Sequence, residues 1–500
     1  MTILVRNVTS NLLAKLYLMA TGILLVPLYV HYLGIEAFGL VAFAAMLQAW
    51  FQLLDLGLTP TLAREVARHR GGAVEGPRLW LLFRVLQALF LAVGVLGAGL
   101  IAAMAGVMAA RWLKAPTLPV AEVCWDLVLL GLLVALRWMA SFYSGLITGF
   151  ERIVWLSAFS VAGATLRCVL VLPAMLVFGA NLRVFFGFQI VVAGLELAVL
   201  VWQARSLMWT IPRGTPRRPD WAGLRPMLRF SLGLALVTGA WVVATQTDKL
   251  ILSKLLPLDQ YASYSIAVMA AGLVIMVAAP IGEALLPRLA RIVAQGDGPG
   301  FTTLYRDATQ VVCLAALPAS AVLVLWGGSV LLVWTGNPML ARTVSPLLAL
   351  YAGGNAFMVV GAFPYYLQFA KGDLRLHVVG TLLFVILLIP ALIMLTLRLG
   401  MVGAGWSWLG VNALYFIAWV PWVHGRLAKG MHAGWLVRDV GRVAGGVAVT
   451  ALILKAALPM QGPRGLLVAN LAGAWILLTA AGTAASPFAS AWLRRWLASA

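Results

Sequence analysis

The sequence predicts an all-α polytopic membrane protein of about 14 transmembrane helices. They form two pseudo-symmetric six-helix bundles around a central cavity, with two extra helices at the C-terminus. Three observations carry that expectation. The 500 residues are 63% hydrophobic and only 10% charged, whereas a soluble domain carries roughly 25% charged residues. Apolar runs long enough to cross a bilayer, which takes about 20 helical residues, recur from one end of the chain to the other. Matching residues also recur at a fixed interval: Arg6 and Arg229, Glu36 and Asp259, Phe38 and Tyr261, and Arg68 and Arg291 are all 223 residues apart. Long continuous runs are not the short alternating segments of a transmembrane β-barrel.

The spans fall at approximately 9–32, 37–59, 79–109, 124–149, 153–177, 183–206, 229–256, 261–287, 304–334, 342–370, 374–397, 402–424, 437–458 and 465–485. The first contains the apolar run Leu12–Tyr32, too long for the core of a cleavable signal. It carries Lys15, and Gly22 and Pro27 can bend it and free a carbonyl. Asp55 and Glu283 sit near the inner ends of the second and eighth spans and read as partners for nearby arginines. The fourth, fifth and sixth spans carry Arg137, Arg167 and Glu196 near their centres. Pro173, Pro280, Pro318, Pro364 and Pro390 lie inside spans, where Gly and Pro are more frequent than in soluble helices. Cys124, Cys168 and Cys313 are scattered in apolar segments without metal-ligand spacing and read as free packed thiols.

Residues 207–228 are rich in Pro, Gly and Arg and form a poor helix. They read as a cytoplasmic basic linker. The expected division is therefore 1–206, the N-terminal six-helix bundle; 207–228, the linker; 229–424, the C-terminal bundle; and 425–500, two additional helices and a tail. Six spans per repeat is even, so both copies have one orientation, with a substrate site between them.

The net charge of +20 would suggest nucleic acid in a soluble protein. Here the cations mark topology instead. With the N-terminus inside, 23 of the 36 Lys and Arg fall at inside segments and six at outside ones. Loop bias of that kind sets orientation. It places both termini in the cytoplasm of a bacterial inner, or plasma, membrane protein and leaves nucleic acid out of the partners.

Seven cations lie deeper: Lys15, Arg84, Arg137, Arg167, Lys249, Lys254 and Lys455. A charge in hydrocarbon costs about 2.5–3.5 kcal/mol on insertion scales, so such side chains face protein or a wet cavity. Arg137 and Arg167 against Glu196 leave a positive surplus in the first half. Two readings stay open: a structural Arg–Glu pair with one further solvated cation, or a cavity basic enough for an anionic head group. Arginine suits phosphate through its planar fork. On the seventh span Thr238, Thr245, Lys249 and Ser253 share a stripe with Gln246 at its edge, and Asp248 is adjacent. That helix is either a cavity wall or a packing lock. Lys15, Arg84 and Lys254 lie nearer the surface, where snorkelling competes with substrate contact. No paired carboxylates, His cluster or glycine-rich phosphate loop marks an enzyme, and no metal or organic cofactor is expected.

The stretches LLVPLYVHYLGIEAFGLVAFAAM and LLDLGLTPTLAREVAR resemble the start of the Wzx-type polysaccharide flippases of the multidrug/oligosaccharidyl-lipid/polysaccharide superfamily. TDKLILSKLLPLDQYASYSIA and PIGEALLPRLAR resemble the matching part of their second half. The resemblance covers roughly residues 5–425 and rests on helices and turns, not on a catalytic signature. It implies alternating access that moves a polyprenyl-pyrophosphate-linked oligosaccharide from the inner to the outer leaflet. It also implies polysaccharide polymerase and chain-length machinery as partners beside membrane lipids. Coupling to H+, Na+ or the membrane potential is left open. Under this reading Arg137, Arg167, Lys249 and Lys15 bind the pyrophosphate, and Glu196 and Asp248 are charge partners or coupling groups. A drug/cation antiporter of the same superfamily is the first rival, although the first helix contains Lys15 and no carboxylate between Leu12 and Leu33. The lipid II flippase family is another, but it carries clustered arginines in its first helix, which this chain lacks. A polysaccharide polymerase or ligase would need large outside loops, and those here are short.

Overall fold

The computed structural model describes residues 2–211, 231, 235, 239 and 242–489. Among these there is no strand, only an isolated bridge between Lys114 and Pro257. Thirteen helical spans are long and apolar enough to cross a membrane. They are α1 (Thr9–Leu33), α2 (Ile35–Asp55), α3 (Gly76–Trp112), α4 (Val120–Gly149), α5 (Ile153–Phe178) and α6 (Leu182–Trp209), then α8 (Leu258–Ala294), α9 (Gly298–Thr335), α10 (Pro338–Lys371), α11 (Arg375–Leu399), α12 (Met401–Leu427), α13 (His432–Ala457) and α14 (Arg464–Ala485). Each overlies one span expected from the sequence. The remaining expected span is helical over 242–255, here α7; its earlier part and most of the basic linker lie outside the described residues.

The repeat is visible in the helix bounds. Ile35 opens α2 and Leu258 opens α8, 223 residues later; Trp112 closes α3 and Thr335 closes α9, again 223 later. One difference between the copies lies at the end of α2. α8 runs unbroken through Pro280 and Pro287. The first copy breaks after Asp55: Leu56 and Gly57 adopt left-handed conformations with φ of 47° and 70°, and a separate helix follows over Leu58–Arg70. Asp55 Oδ1 accepts from Thr59 N at 2.9 Å and from Thr59 Oγ1 at 2.8 Å, so this carboxylate holds the start of that helix.

Two compact units divide at Ala262 and Ser263, a later cut than the sequence division at 207–228. The C-terminal end of α7 explains the difference. Trp112 Nε1 donates to Ser253 Oγ at 3.0 Å, Lys114 Nζ to Leu255 O at 3.0 Å, and Leu258 N to Lys114 O at 2.8 Å. A Cβ on Gly39 would stand 2.5 Å from Leu258 O, so α2 approaches this segment backbone to backbone.

In the first unit α3 and α4 pack through Leu79, Phe83, Leu86 and Phe90 against Trp138, Phe142 and Leu146. The Phe90 and Trp138 rings stack 4.6 Å apart, and Trp138 Nε1 donates to Phe90 O at 2.9 Å. Lipid offers no hydrophobic drive between helices, so close packing of small residues has to serve. Accordingly Gly145 and Gly149 of α4 face Thr59 and Ala63 of the short helix, where a Cβ would intrude to 2.3 and 2.6 Å. The opposite face of α3 exposes Leu89, Leu91, Val95, Leu96 and Leu100, as a lipid-facing helix must.

In the second unit α9 and α10 pack side by side, with α14 on α9. Asn355 of α10 is a buried polar node: its Nδ2 donates to Ala271 O at 2.8 Å, and its Oδ1 accepts from Trp408 Nε1 at 2.9 Å. Arg306 of α9 binds Asp439 of α13 through Nε at 2.6 Å and Nη2 at 3.2 Å. The chain after α14 is pinned where Ser486 Oγ and Phe488 N donate to Gln310 Oε1, at 2.7 and 3.0 Å. The three cysteines are free, with Cys313 buried.

Candidate functional site

The strongest polar constellation inside the spans of the first unit is built by α4, α5 and α6. Each contributes one charge near its middle. Arg137 stands about 18 Å from the end of α4 at Gly149, taking 1.5 Å per residue, too far for its head group to reach water by extension alone.

The path of α5 sets the cluster. Pro173 has no N–H, and its ring would collide with the carbonyl four residues back. That residue is Val169, the last of a widened π-turn spanning Thr165–Val169. The turn leaves carbonyls for side-chain donors. Gln189 Nε2 of α6 donates to Arg167 O at 3.0 Å, and Tyr29 OH of α1 donates to Cys168 O at 2.7 Å. Thr165 Oγ1 gives its own proton to Val161 O at 2.9 Å. Tyr17 OH, 2.7 Å from Thr165 Oγ1, is therefore the donor in that pair. A π-turn inside a helix is frequently functional; here it aims Arg167 toward α6.

Arg167 Nη1 donates to Glu196 Oε1 at 2.7 Å. Arg137 Nη1 lies 4.0 Å from Glu196 Oε2, and Arg137 Nη2 donates to Gln189 Oε1 at 3.1 Å. One carboxylate thus serves two guanidinium groups, closely for Arg167 and loosely for Arg137. Glu196 is 9% exposed at its side chain, against 22% for Arg137 and 20% for Arg167. The anion is sealed in while both cations keep some open surface. Gly163 makes room for it: a Cβ there would lie 2.2 Å from Glu196 Oε1. With all three groups ionised the cluster carries one net positive charge, and Arg137 is the less compensated cation.

The other expected site residues stand as follows. Lys249 is half-buried on α7, and its Nζ donates to Thr245 O at 3.2 Å and to Gln246 Oε1 at 2.9 Å, both on its own helix. Its backbone N–H donates to Oδ1 of the buried Asp248 at 2.8 Å. Ser253, on the same stripe, accepts from Trp112 and packs; Thr238 lies outside the described residues. Lys15 is exposed on α1, two positions before Tyr17. Lys254 Nζ sits 5.0 Å over the Trp112 ring, and Arg84 lies 5.8 Å over Trp80. Both lean on an aromatic ring. Gln189 and Gly163 emerge only from the structure. Gln189 precedes Glu196 by seven residues, two turns on one helical face, and that spacing is the signal that could have found it.

A family model described as "Polysaccharide biosynthesis protein" matches residues 4–293. No curated protein sequence matches. Among solved structures, the lipid II flippase MurJ in an inward closed conformation superposes with a TM-score of 0.72 at 11% identity, over 98% of this chain and 99% of that one. An inward-facing multidrug resistance MATE family transporter of the MOP superfamily gives 0.69 at 16% identity, over 86% and 99%. A MOP superfamily transporter from Pyrococcus furiosus, described as having a binding pocket of reverse polarity, gives 0.50 at 15% identity, over 85% and 94%. At such identities the likeness is one of fold, an all-helical membrane fold with two repeated halves.

Proposed function

The chain belongs to the polysaccharide biosynthesis protein family, and on that premise we propose that it flips a polyprenyl-pyrophosphate-linked oligosaccharide. The movement runs from the cytoplasmic to the outer leaflet of a bacterial inner membrane, by alternating access, in the assembly of a cell-surface polysaccharide. A multi-pass fold of flippases and transporters supports movement of a substrate across the membrane. Its solved neighbours are described in inward closed and inward-facing states, which supports a cycle of alternating access.

One observation carries the substrate class: Arg137 and Arg167, deep in their spans, share the single carboxylate of Glu196. A diphosphate offers pairs of accepting oxygens that the planar guanidinium fork matches. It would compete with Glu196 for both arginines and supply what Arg137 lacks. Lys249 and Lys15 are the further cations assigned to the same diphosphate, and Asp248 is kept as a charge partner. An outward-moving anion gains roughly 2.3 kcal/mol per charge across 100 mV, inside negative, so the membrane potential can assist without a bound cofactor. Coupling to H+ or Na+ is the alternative drive, and a polymerase with chain-length machinery is the downstream partner.

The test is reconstitution. Vesicles holding the full chain are loaded with a fluorescent polyprenyl-pyrophosphate-linked sugar, and a membrane-impermeant reductant reports its exposure. Faster exposure with wild-type protein, lost in Arg137→Ala at equal protein content, supports the reading. Transport of a cationic dye in place of the lipid-linked sugar would instead favour the drug/cation antiporter, whose fold this chain shares.

A further inference from the structure

Four span ends meet at one end of the second unit: α8 closes at Ala294, α9 opens at Gly298, α10 closes at Lys371 and α12 closes at Leu427. Between them lies a cavity of about 330 Å³, lined among others by Val293, Phe301, Leu367, Met431, Lys371 and Lys429. The chain turns beside it at Gly296, Gly372 and Gly430, with φ of 71°, 73° and 80°. These are left-handed turns that favour glycine.

The lining has two chemistries. Val293, Phe301, Leu367 and Met431 give apolar walls. Lys429 is exposed, and Lys371 is anchored by a hydrogen bond from its Nζ to Leu427 O. Asp297 is the one carboxylate among the lining residues. It is occupied, because its Oδ1 accepts from Gly300 N at 2.8 Å and caps α9. The cations therefore outnumber the anion. Pockets for small ligands run from roughly 300 to 1,000 Å³, so this cavity suits a head group and is too small for a lipid-linked oligosaccharide.

Its level in the membrane follows from the span ends and from an aromatic patch on α12. Trp419 and Trp422 lie 4.6 Å apart, and Arg426 sits 4.5 Å over the Trp422 ring. Tryptophan with arginine marks the headgroup layer. By the Lys/Arg bias this end faces the cytoplasm, where the leaflet carries anionic lipids.

We propose that this cavity binds the phosphodiester head group of an anionic phospholipid. The lipid is held at the rim of the second unit and is distinct from the cargo assigned to Arg137 and Arg167. The apolar walls select lipid over dissolved phosphate, since they can cover the glycerol and the first acyl carbons, which inorganic phosphate lacks.

Native mass spectrometry of the full chain in detergent tests this with three probes: dihexanoyl-phosphatidylglycerol, dihexanoyl-phosphatidylcholine and inorganic phosphate. Wild-type protein is expected to retain one more phosphatidylglycerol than phosphatidylcholine. Lys429→Gln should weaken that site about fivefold, as loss of one lysine near an anionic head group implies, and Lys429→Arg should restore it. Thr302→Trp, which fills the cavity from α9, should remove the site. Lys429 is exposed, so its variants keep the test valid even if Thr302→Trp fails to fold. Equal phosphatidylglycerol binding by wild type and Lys429→Gln would overturn the proposal. So would inorganic phosphate filling the site as tightly as the lipid.

Discussion

The Arg167 guanidinium lies 2.7 Å from the Glu196 carboxylate, each near the middle of a membrane span. Breaking a buried pair by removing one partner costs about 3–5 kcal/mol, because the other charge is left behind. Arg167→Ala is therefore expected to lower the amount of folded protein in the membrane. Replacing the pair together, as Arg167→Met with Glu196→Leu, should recover part of the amount, the shortfall being the carboxylate that Arg137 then also loses, while transport stays lost. Quantitative blotting beside the vesicle assay separates the two effects.

Arg137 behaves differently. Its carboxylate contact is 4.0 Å and its close bond is to the amide of Gln189. Arg137→Ala should leave protein abundance near wild type and cut transport at least about tenfold, the scale of one lost charged hydrogen bond of 1.5–3 kcal/mol. Unimpaired transport at normal abundance would remove Arg137 from the substrate path. Arg137→Lys should rescue poorly, since lysine lacks the planar fork.

Gly163→Ala puts a methyl group 2.2 Å from Glu196 Oε1. Overpacking of this kind costs about 1–3 kcal/mol, read as a lower unfolding temperature in detergent. Most of that cost should vanish in a Glu196→Ala background, because contacting residues are not additive. A penalty that persists unchanged would mean that Gly163 serves something other than the carboxylate.

Asn355→Leu removes the acceptor of Trp408 Nε1 and the donor to Ala271 O together. An orphaned buried group costs about 1–3 kcal/mol, so this variant should melt earlier than wild type. Asn355→Asp keeps the acceptor and loses the donor, and it buries a charge besides; it should be worse than Leu.

Lys249→Met keeps an unbranched side chain, one atom shorter, and drops the charge. Because, among the described residues, its ammonium bonds to Thr245 and Gln246 of its own helix, folding should be little affected. A drop in transport would bring Lys249 into the substrate path; unchanged transport would confine that path to the arginines.

Helix positions were the legible part. Runs such as 183–206 announce themselves by length and apolarity, and the Glu36–Asp259 interval anticipated the paired starts of α2 and α8. Arg137, Arg167 and Glu196 were visible as costly charges, and their grouping agrees with that cost. Finer features were hidden for physical reasons. Pro173 signals disturbance, yet whether a proline kinks a helix or widens a turn depends on which donors its neighbours bring; here Gln189 and Tyr29 take the carbonyls. The attachment of the end of α7 to Trp112 and Lys114 was equally silent, since a contact between residues 141 apart leaves no periodic trace.

A carrier of an anion makes half of every cycle without cargo, and naked arginines in hydrocarbon would make that return leg the costly one. Glu196, buried between two cations and reached over the bare backbone of Gly163, lies in the same unit as both arginines. Under the proposed function, the empty protein would thus travel with its charge already partly balanced, and the same side chain would set how tightly a phosphate is held.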